Sequence, residues 1–133
     1  MACGLAEESG EPVVLTCTGA TASRNYIPGL TEAYYRHLPV LAVTSTQHTG
    51  RVGNYVAQVI DRSSCFNDMV KMSVELPTVH TEEDKQDTIT KVNDVLLELT
   101  HNQSGPCHIN LCTTYSNGFT IKELPRYRTI KRV

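Results

Sequence analysis

The stretch that most constrains the fold lies at residues 12–45. It reads PVVLTCTGATASRNYIPGLTEAYYRHLPVLAVTS. A short apolar run at residues 13–17 leads into a loop of small residues at 18–23, and a helical pattern at 25–38 precedes a second apolar run at 40–45. Strand, loop, helix and strand over about 30 residues predict a βαβ unit, in which the strands are parallel and the crossover is right-handed.

Ligands of open parallel sheets bind at the carboxyl ends of the strands. We therefore expect function in the loop at residues 18–23 and in the segment after Ser45. That segment, residues 46–68, is long and partly irregular, apart from a short amphipathic piece at residues 55–60. Connections of this kind after a strand are often functional. The polar residues that could line a pocket, or else form a solvated surface loop, are Gln47, His48, Arg51, Asn54 and Gln58.

The rest of the chain continues the alternation of helices and strands. Residues 2–9 favour a helix that ends at Gly10, and residues 70–76 and 107–112 read as strands. Between those strands, Thr81 is a helix N-cap followed by acidic residues, and apolar spacing continues the helix for roughly 20 residues. The acidic residues are interpreted as a helix start, because no opposing cluster of hard ligands suggests a metal site.

Composition excludes several classes of function. With 133 residues the chain has the size of one domain, and its net charge of −2 gives no reason to expect a nucleic-acid partner. The five cysteines are odd in number and contain no CxxC pair, which favours reduced thiols in a cytoplasmic protein. No apolar run approaches the length of a membrane span, and the first residues lack the pattern of a signal peptide.

Motifs for catalysis are mostly absent. The sequence has no GxGxxG, no GxxxxGK[ST] and no GxSxG. Cys107, His108 and Cys112 resemble zinc ligands, but neighbours in a strand point to opposite faces, so Cys107 and His108 are expected to be structural. A Cys–His nucleophile pair is also unsupported, because nothing in the sequence places a histidine near an exposed thiol.

A set of residues in the first third of the chain resembles a known family. They are Cys17-Thr18, Thr21-Ala22, Asn25-Tyr26, Pro28, Glu32-Ala33, Tyr35 and Pro39. The supporting context lies at residues 6–14, 39–44 and 105–110 and at Gln58 and Asp61. The pattern is similar to the pyrimidine-binding (Pyr) domain of thiamine-diphosphate-dependent enzymes, in the branches of acetolactate synthase and of the menaquinone-pathway SEPHCHC synthase.

The resemblance implies a fold and a domain organisation. Residues 1–113 would be a partial Pyr domain, an α/β fold in which helices flank a parallel sheet with about four strands retained. Residues 114–133 would be a linker toward the middle domain. The family sheet has six parallel strands, and the two earliest lie beyond the strand at residues 12–17. That strand would therefore become an open edge, which predicts self-association or marginal stability.

The resemblance also implies how the cofactor would be bound. In the family a glutamate bonds the aminopyrimidine ring and drives proton removal from the cofactor, and by spacing it would lie upstream of Met1. Thiamine diphosphate with Mg²⁺ is expected in the parent enzyme, where a Gly-Asp-Gly motif of a separate domain holds the metal and diphosphate. The sequence has no such motif. We expect no catalytic or metal-binding residue in this chain, which would be inactive and bind no cofactor tightly alone.

Three residues match cofactor-facing positions of the family: Thr21, Asn25 and Gln58. An N-cap role is the alternative for Asn25. The match has departures, since the loop glycine has moved by one place, Ala57 replaces the usual phenylalanine, and residues 45–48 replace an Ala-Asp-Arg-Pro-like segment. The last departure argues against assigning SEPHCHC synthesis, so the substrate stays open.

Two functions of different class follow. The first is a fragment of a thiamine-diphosphate-dependent 2-oxo acid decarboxylase or carboligase, in which the chain contributes part of the aminopyrimidine side and of the dimer interface. Its partner would be a second subunit or a diphosphate-binding (PP) domain, within a homo-oligomer. The alternative is a standalone, non-catalytic Pyr-like module that binds a partner through the exposed edge strand.

Overall fold

The structure is a computed structural model, and it describes residues 1–18 and 20–114. Nearly all of the predicted linker at residues 114–133 lies outside the described residues. The helices are α1 (Ala2–Ser9), α2 (Ala20–Arg24), α3 (Ile27–Tyr35) and α4 (Glu82–Glu98), with one 3₁₀ turn at Thr49–Arg51. The strands are β1 (Val13–Thr16), β2 (Val40–Gln47), β3 (Met72–Leu76) and β4 (Cys107–Thr113).

The four described strands form one parallel sheet in the order β1-β2-β4-β3. This confirms the predicted α/β class with a parallel sheet flanked by helices. The first crossover, through α2 and α3, joins neighbouring strands, whereas β3 lies beyond the position that β4 fills. Within the described sheet β1 is therefore an edge strand, with Val14 exposed.

The helical region after β1 differs from the prediction in two places. Residues 18–23 are not all loop, because α2 begins at Ala20, where small residues free of glycine and proline allow a helical turn. The helix predicted at residues 25–38 ends at Tyr35 instead. His37 adopts a left-handed conformation (φ 56°), which ends the helix before Pro39.

The connection between β2 and β3 is as irregular as expected, with one difference. The amphipathic piece predicted at residues 55–60 forms no helix. Tyr55 and Gln58 both have left-handed backbones, with φ values of 55° and 67°. Left-handed residues interrupt the helical hydrogen-bond pattern, so the apolar spacing there reflects packing of single residues rather than a helix face.

One face of the sheet is apolar and packs against α4. Residues that alternate along β2, β3 and β4 join Val95 of α4 and Leu99, the C-cap of that helix, in a buried cluster. The strand residues of this cluster are Leu41, Val43, Met72, Val74, Leu76, Cys107, Ile109 and Leu111. Burial of this surface provides the main stabilisation of α4 on the sheet.

The opposite face is apolar only near β1 and the start of β2. There Ala6 of α1 and Leu30 and Ala33 of α3 cover Val40 and Ala42. Toward β4 and β3 the same face becomes polar, because the next side chains on it are Thr44, His108 and Ser73 and their neighbours. The polar part is covered by residues 61–70 of the long connection, including Arg62 and Met69.

Both ends of α4 are fixed by side chains. Thr81 and Asp84 form a capping box, in which each side chain accepts a hydrogen bond from the other residue's main-chain N–H. At the other end, Lys71 Nζ donates to the carbonyl oxygens of Glu98, His101 and Gln103 at 2.7, 2.9 and 2.7 Å. The lysine thus satisfies carbonyls that a helix terminus leaves without intrahelical partners.

Candidate functional site

A polar layer lies on the α3 side of the sheet, toward the carboxyl ends of the strands. Side chains that share this face occupy paired positions on three adjacent strands, so that Ala42, His108 and Ser73 form one row and Thr44, Asn110 and Glu75 form the next. Thr44, His108 and Asn110 are buried at 4%, 4% and 1% exposure. Buried polar groups must find hydrogen-bond partners or destabilise the fold.

Asn110 lies at the centre of this layer. Its Nδ2 donates to Glu75 Oε2 at 3.2 Å, which orients the amide so that Oδ1 faces β2. Oδ1 accepts from Thr44 Oγ1 at 2.9 Å and from Thr46 Oγ1 at 3.2 Å. The row therefore links β3, β4 and β2 through side chains in addition to the main-chain ladder.

The network assigns the tautomer of His108. Because the Thr44 hydroxyl gives its single proton to Asn110, it accepts from His108 Nε2–H at 2.9 Å. His108 Nδ1 is then an acceptor, and Ser73 Oγ donates to it at 2.8 Å. Burial and, secondarily, the nearby charge of Arg62 lower the pKa of His108 to about 4, so the ring is neutral at pH 7.

Arg62 ties the long connection to the sheet. Its side chain donates to Ser23 Oγ at 2.9 Å, to the Ser45 carbonyl at 2.8 Å and to Thr46 Oγ1 at 2.9 Å. Arg62 is only 5% exposed, and desolvation lowers its pKa from the ordinary value. The guanidinium joins α2, the end of β2 and the connection at one point.

The structure places one thiol beside a histidine, a proximity that nothing in the sequence indicated. Cys65 is partly buried, and its Sγ lies 3.5 Å from His108 Nδ1 and 3.7 Å from Ser73 Oγ. Desolvation raises the pKa of the Cys65 thiol. A protonated thiol beside a neutral imidazole is not an activated nucleophile, so the proximity does not amount to a catalytic pair.

The prediction that Cys107 and His108 point to opposite faces of the sheet is confirmed. Cys107 lies in the apolar cluster against α4, and its pKa is raised to about 11 by burial. His108 points to the other face of the sheet, toward Thr44 and Ser73. Within residues 1–18 and 20–114, no group of three or more His, Cys, Asp and Glu side chains is placed to hold a metal ion.

A cavity of about 300 Å³ opens beside the polar layer. Its inner wall is formed by α3 and the sheet, and its mouth by α2 and the long connection. The lining residues include Arg24, Leu30, Ala42, Arg62, Cys65 and His108. The cavity therefore borders both the apolar core and the buried network.

The predicted cofactor-facing residues lie elsewhere. Thr21 and Asn25 are exposed at α2 and just after it, past the carboxyl end of β1, and Gln58 is exposed on the connection that follows β2. None of the three lines the described cavity. Their role toward a cofactor stays a prediction. Asn25 is not the N-cap of α3, because Tyr26 occupies that position.

The polar residues expected to line a pocket in the connection also lie outside this cavity. Gln47, His48, Arg51, Asn54 and Gln58 are absent from its lining, and residues later in the same connection take that place. Sequence reasoning missed Arg62, His108 and Asn110 as a group. A signal was present, because polar residues recur at every second position in three strands, a pattern that indicates a polar sheet face.

Residues 1–65 match the family model described as "Thiamine pyrophosphate enzyme, N-terminal TPP binding domain". The matched region runs from α1 through β2 and the connection as far as Cys65.

Among the described residues, no helix combines the length and the hydrophobicity that a membrane span requires.

Similar curated proteins bear the name 2-succinyl-5-enolpyruvyl-6-hydroxy-3-cyclohexene-1-carboxylate synthase, abbreviated above as SEPHCHC synthase. The one from Bacteroides thetaiotaomicron is 36% identical over 132 residues, 98% of this chain and 24% of the relative. Those from Bacteroides fragilis and Prosthecochloris aestuarii are 35% identical over 132 residues and 30% identical over 110. The chain thus spans about a quarter of the length of the first of these, and the similarity extends across the departure at residues 45–48.

Proposed function

We propose a role for this chain on the premise that residues 1–65 belong to the family of N-terminal TPP binding domains of thiamine pyrophosphate enzymes. The chain would supply one edge of the aminopyrimidine side of a thiamine diphosphate site in a larger enzyme. The observation that supports this role is a set of exposed polar side chains after the carboxyl ends of β1 and β2.

The described residues fit one part of the cofactor. Thr21 and Asn25 are exposed, and neither side chain makes a hydrogen bond within the described part of the chain. A hydroxyl and an amide at this position can donate to and accept from the ring nitrogens and amino group of a pyrimidine. Gln58, on the connection after β2, would bind from the neighbouring strand end.

The fit does not extend to the diphosphate and Mg²⁺. The described residues contain no metal-binding group of the kind that a magnesium diphosphate requires. We therefore propose that the metal and phosphates are held by a PP domain or a second subunit, within a homo-oligomer. When bound, thiamine diphosphate supplies the electron sink for decarboxylation or carboligation of a 2-oxo acid.

The proposed reaction of the parent enzyme follows the names of the relatives. We propose that it forms 2-succinyl-5-enolpyruvyl-6-hydroxy-3-cyclohexene-1-carboxylate, as the names of the similar proteins from Bacteroides state for those proteins. The chain's own residues would orient the cofactor ring and would transfer no proton. Residues 45–48, where the sequence departs from an Ala-Asp-Arg-Pro-like segment, lie at and just after the end of β2, and we propose that a difference in substrate preference would arise there.

A chimera tests this proposal. Residues 1–114 replace the aligned segment of the Bacteroides thetaiotaomicron synthase, and the apparent Kd of thiamine diphosphate is measured by fluorescence quenching. We expect the chimera to bind the cofactor and to form product. Asn25→Ala should weaken cofactor binding by about tenfold, the effect of losing one or two hydrogen bonds. Asn54→Ala, at an exposed asparagine whose amide donates to Gly50, is the control and should leave the Kd unchanged. A folded chimera that binds no cofactor, or an Asn25→Ala variant identical to the control, would refute the role.

The interaction module is retained as a second candidate because of β1. Within the described sheet β1 is an edge, and Val14 on it is 58% exposed. An exposed apolar edge strand can pair with another chain. Val14→Lys should abolish any concentration-dependent association measured by analytical ultracentrifugation. A module that binds through this edge would lose its partner in this variant, whereas cofactor binding by the chimera would be kept.

A further inference from the structure

The cavity beside the polar layer is lined by apolar side chains in its interior and by exposed, mostly polar side chains at its mouth. The interior wall contains Ile27, Leu30, Ala42 and Met69, which are apolar and buried or partly buried. The mouth contains Arg24, Asp61, Ser64 and Phe66, which are all exposed. A volume of about 300 Å³ is at the lower end of the range of small-molecule sites.

The polar groups inside the cavity offer no free proton to a ligand. Thr44 donates to Asn110 and accepts from His108, and both ring nitrogens of His108 have partners. A bound molecule would therefore meet apolar surface and satisfied polar groups in the interior. Such surroundings favour an apolar body of about one ring in size.

The positive charge of Arg24 at the mouth indicates that a ligand with an apolar body would also carry an anionic group. Arg24 Nη2 donates to the Asp61 carbonyl at 3.0 Å, and no carboxylate of the described residues forms an ion pair with Arg24. The Asp61 carboxylate accepts from the Ser63 main-chain N–H and hydroxyl at 2.8 and 2.6 Å. After these two hydrogen bonds, the nearby charge of Arg24 also helps to lower the pKa of Asp61, but the two side chains form no direct ion pair. The exposed guanidinium of Arg24 therefore keeps N–H groups that can donate to a further carboxylate.

A second guanidinium, that of Arg62, lies beside the same cavity. Arg62 also lines the cavity, and the charge of Arg24 contributes to the lowered pKa of Arg62, after desolvation. The positive charges of Arg24 and Arg62 repel each other. A carboxylate bound in the cavity near both guanidinium groups would reduce that repulsion. Planar guanidinium groups bind carboxylates in a bidentate manner.

We propose that this cavity is a binding site for a small carboxylic acid with an apolar body, held by Arg24 at the mouth and by Leu30, Ala42 and Met69 inside. The site is separate from the proposed cofactor edge, because Thr21, Asn25 and Gln58 do not line it. An aromatic monocarboxylate has the size and charge that the cavity fits.

Three matched probes test the site on the 133-residue chain. They are 4-fluorobenzoate, 4-fluorobenzamide and 4-fluorobenzylamine, which share one ring and differ in charge. Binding is measured by ¹⁹F NMR line broadening and by ¹⁵N chemical-shift mapping. We expect saturable binding of the benzoate that shifts the amides of Arg24, Ala42 and Cys65. The amide probe should bind about tenfold more weakly, as expected when a charge-assisted hydrogen bond becomes a neutral one, and the amine more weakly still.

Two variants separate the site from general attraction of anions. Arg24→Gln should weaken benzoate binding about fivefold to tenfold and leave the benzamide unchanged, because only the charge-assisted bond is lost. Arg51→Gln removes an equally exposed arginine that does not line the cavity, and it should leave both affinities unchanged. Both positions are on the surface, and thermal melting of each variant verifies that it is folded.

Several results would overturn the proposal. They are equal affinity for the benzoate and the benzamide, equal effects of the two arginine variants, chemical shifts outside the cavity, and no saturable binding of the benzoate. The last result would indicate that the cavity is closed to ligands in solution or filled by another part of a larger protein.

Discussion

The two faces of the sheet are stabilised by different interactions, one by apolar packing and the other by hydrogen bonds between side chains. On the α4 face, alternating apolar residues of β2, β3 and β4 pack against Val95 and Leu99. On the α3 face, the same three strands carry polar side chains that form hydrogen bonds with one another and, through Thr46, with Arg62. Burial of apolar area stabilises the first face without directional requirements, whereas the second depends on each donor meeting an acceptor.

Of the two faces, the polar one is better suited to contact a ligand. In the described residues the apolar face presents mainly aliphatic side chains and serves to hold α4. The polar face lies beside the cavity, and one of its residues, His108, changes charge in an accessible pH range. A network of this kind fixes a unique arrangement of strands and connection, at the cost of sensitivity to the loss of any member.

The largest expected effect is on the apolar face. Leu99 is 2% exposed, and Leu99→Ala should lower the free energy of unfolding by about 3 kcal/mol through lost burial and a residual cavity. Leu96→Ala, three residues earlier on α4 and 46% exposed, should change it by less than about 1 kcal/mol. Urea unfolding measures both. Similar losses for the two variants would contradict the assignment of the buried face.

Acid should act on the polar face. The pKa of His108 is lowered from 6.5 to about 4, so the unfolded chain binds more protons than the folded one between these values. The contribution of neutral His108 to the free energy of unfolding is therefore complete above pH 6.5, and it is lost as the pH decreases toward 4. The loss amounts to about 3 kcal/mol, at about 1.4 kcal/mol for each of roughly 2.5 pH units.

Replacement of the histidine isolates this effect. His108→Gln keeps a donor and an acceptor but has no charge to gain, so the slope of unfolding free energy against pH between 6.5 and 4 should be much smaller in the variant. Urea unfolding at a series of pH values gives the comparison. If the variant and the unmodified chain keep the same slope, the neutral buried state of His108 is wrong.

A smaller loss is expected when the network is cut at its centre. Thr44→Val preserves shape but removes the hydroxyl that accepts from His108 and donates to Asn110. The His108 Nε2–H then lacks a partner, whereas Asn110 Oδ1 keeps its bond from Thr46, and the free energy of unfolding should fall by about 2 kcal/mol. Val43→Thr is the mirror experiment, because it places a hydroxyl on the apolar face without a partner. A neutral result for Thr44→Val would show that water replaces the missing bond.

The smallest effect concerns the helix that covers the apolar face. Thr81→Ala removes the N-cap acceptor of the capping box and should cost about 1 kcal/mol. Thr81→Asn keeps an acceptor and should recover most of that loss. Thermal melting is sufficient to rank the three chains. A loss in the asparagine variant as large as that in the alanine variant would show that the cap is not the source of the effect.

The parts of the fold that depend on local pattern were predictable. Thr81 with three acidic residues after it predicted the start of α4, and Gly10 predicted the end of α1. Apolar spacing identified all four described strands, because each has apolar side chains on a face that packs against a core cluster. The end of α3 was not predictable from spacing, since it depends on the left-handed backbone of His37.

The polar layer depends on long-range pairing and was missed for that reason. Thr44 and Asn110 are 66 residues apart, and only the register between β2 and β4 brings them together. Arg62 was likewise indistinguishable from a solvated loop residue, because its partners Ser23 and Thr46 lie on other elements. Thr21, Asn25 and Gln58, in contrast, came from the family resemblance and stay predictions.

The central claim is that this chain provides only one edge of a thiamine diphosphate site. Isothermal titration calorimetry of the 133-residue chain with thiamine diphosphate and Mg²⁺ tests it most directly. We expect no binding tighter than about 1 mM, because a pyrimidine edge alone gives few contacts. Saturable binding with a Kd in the micromolar range would contradict it, since the chain would then hold the diphosphate and metal as well.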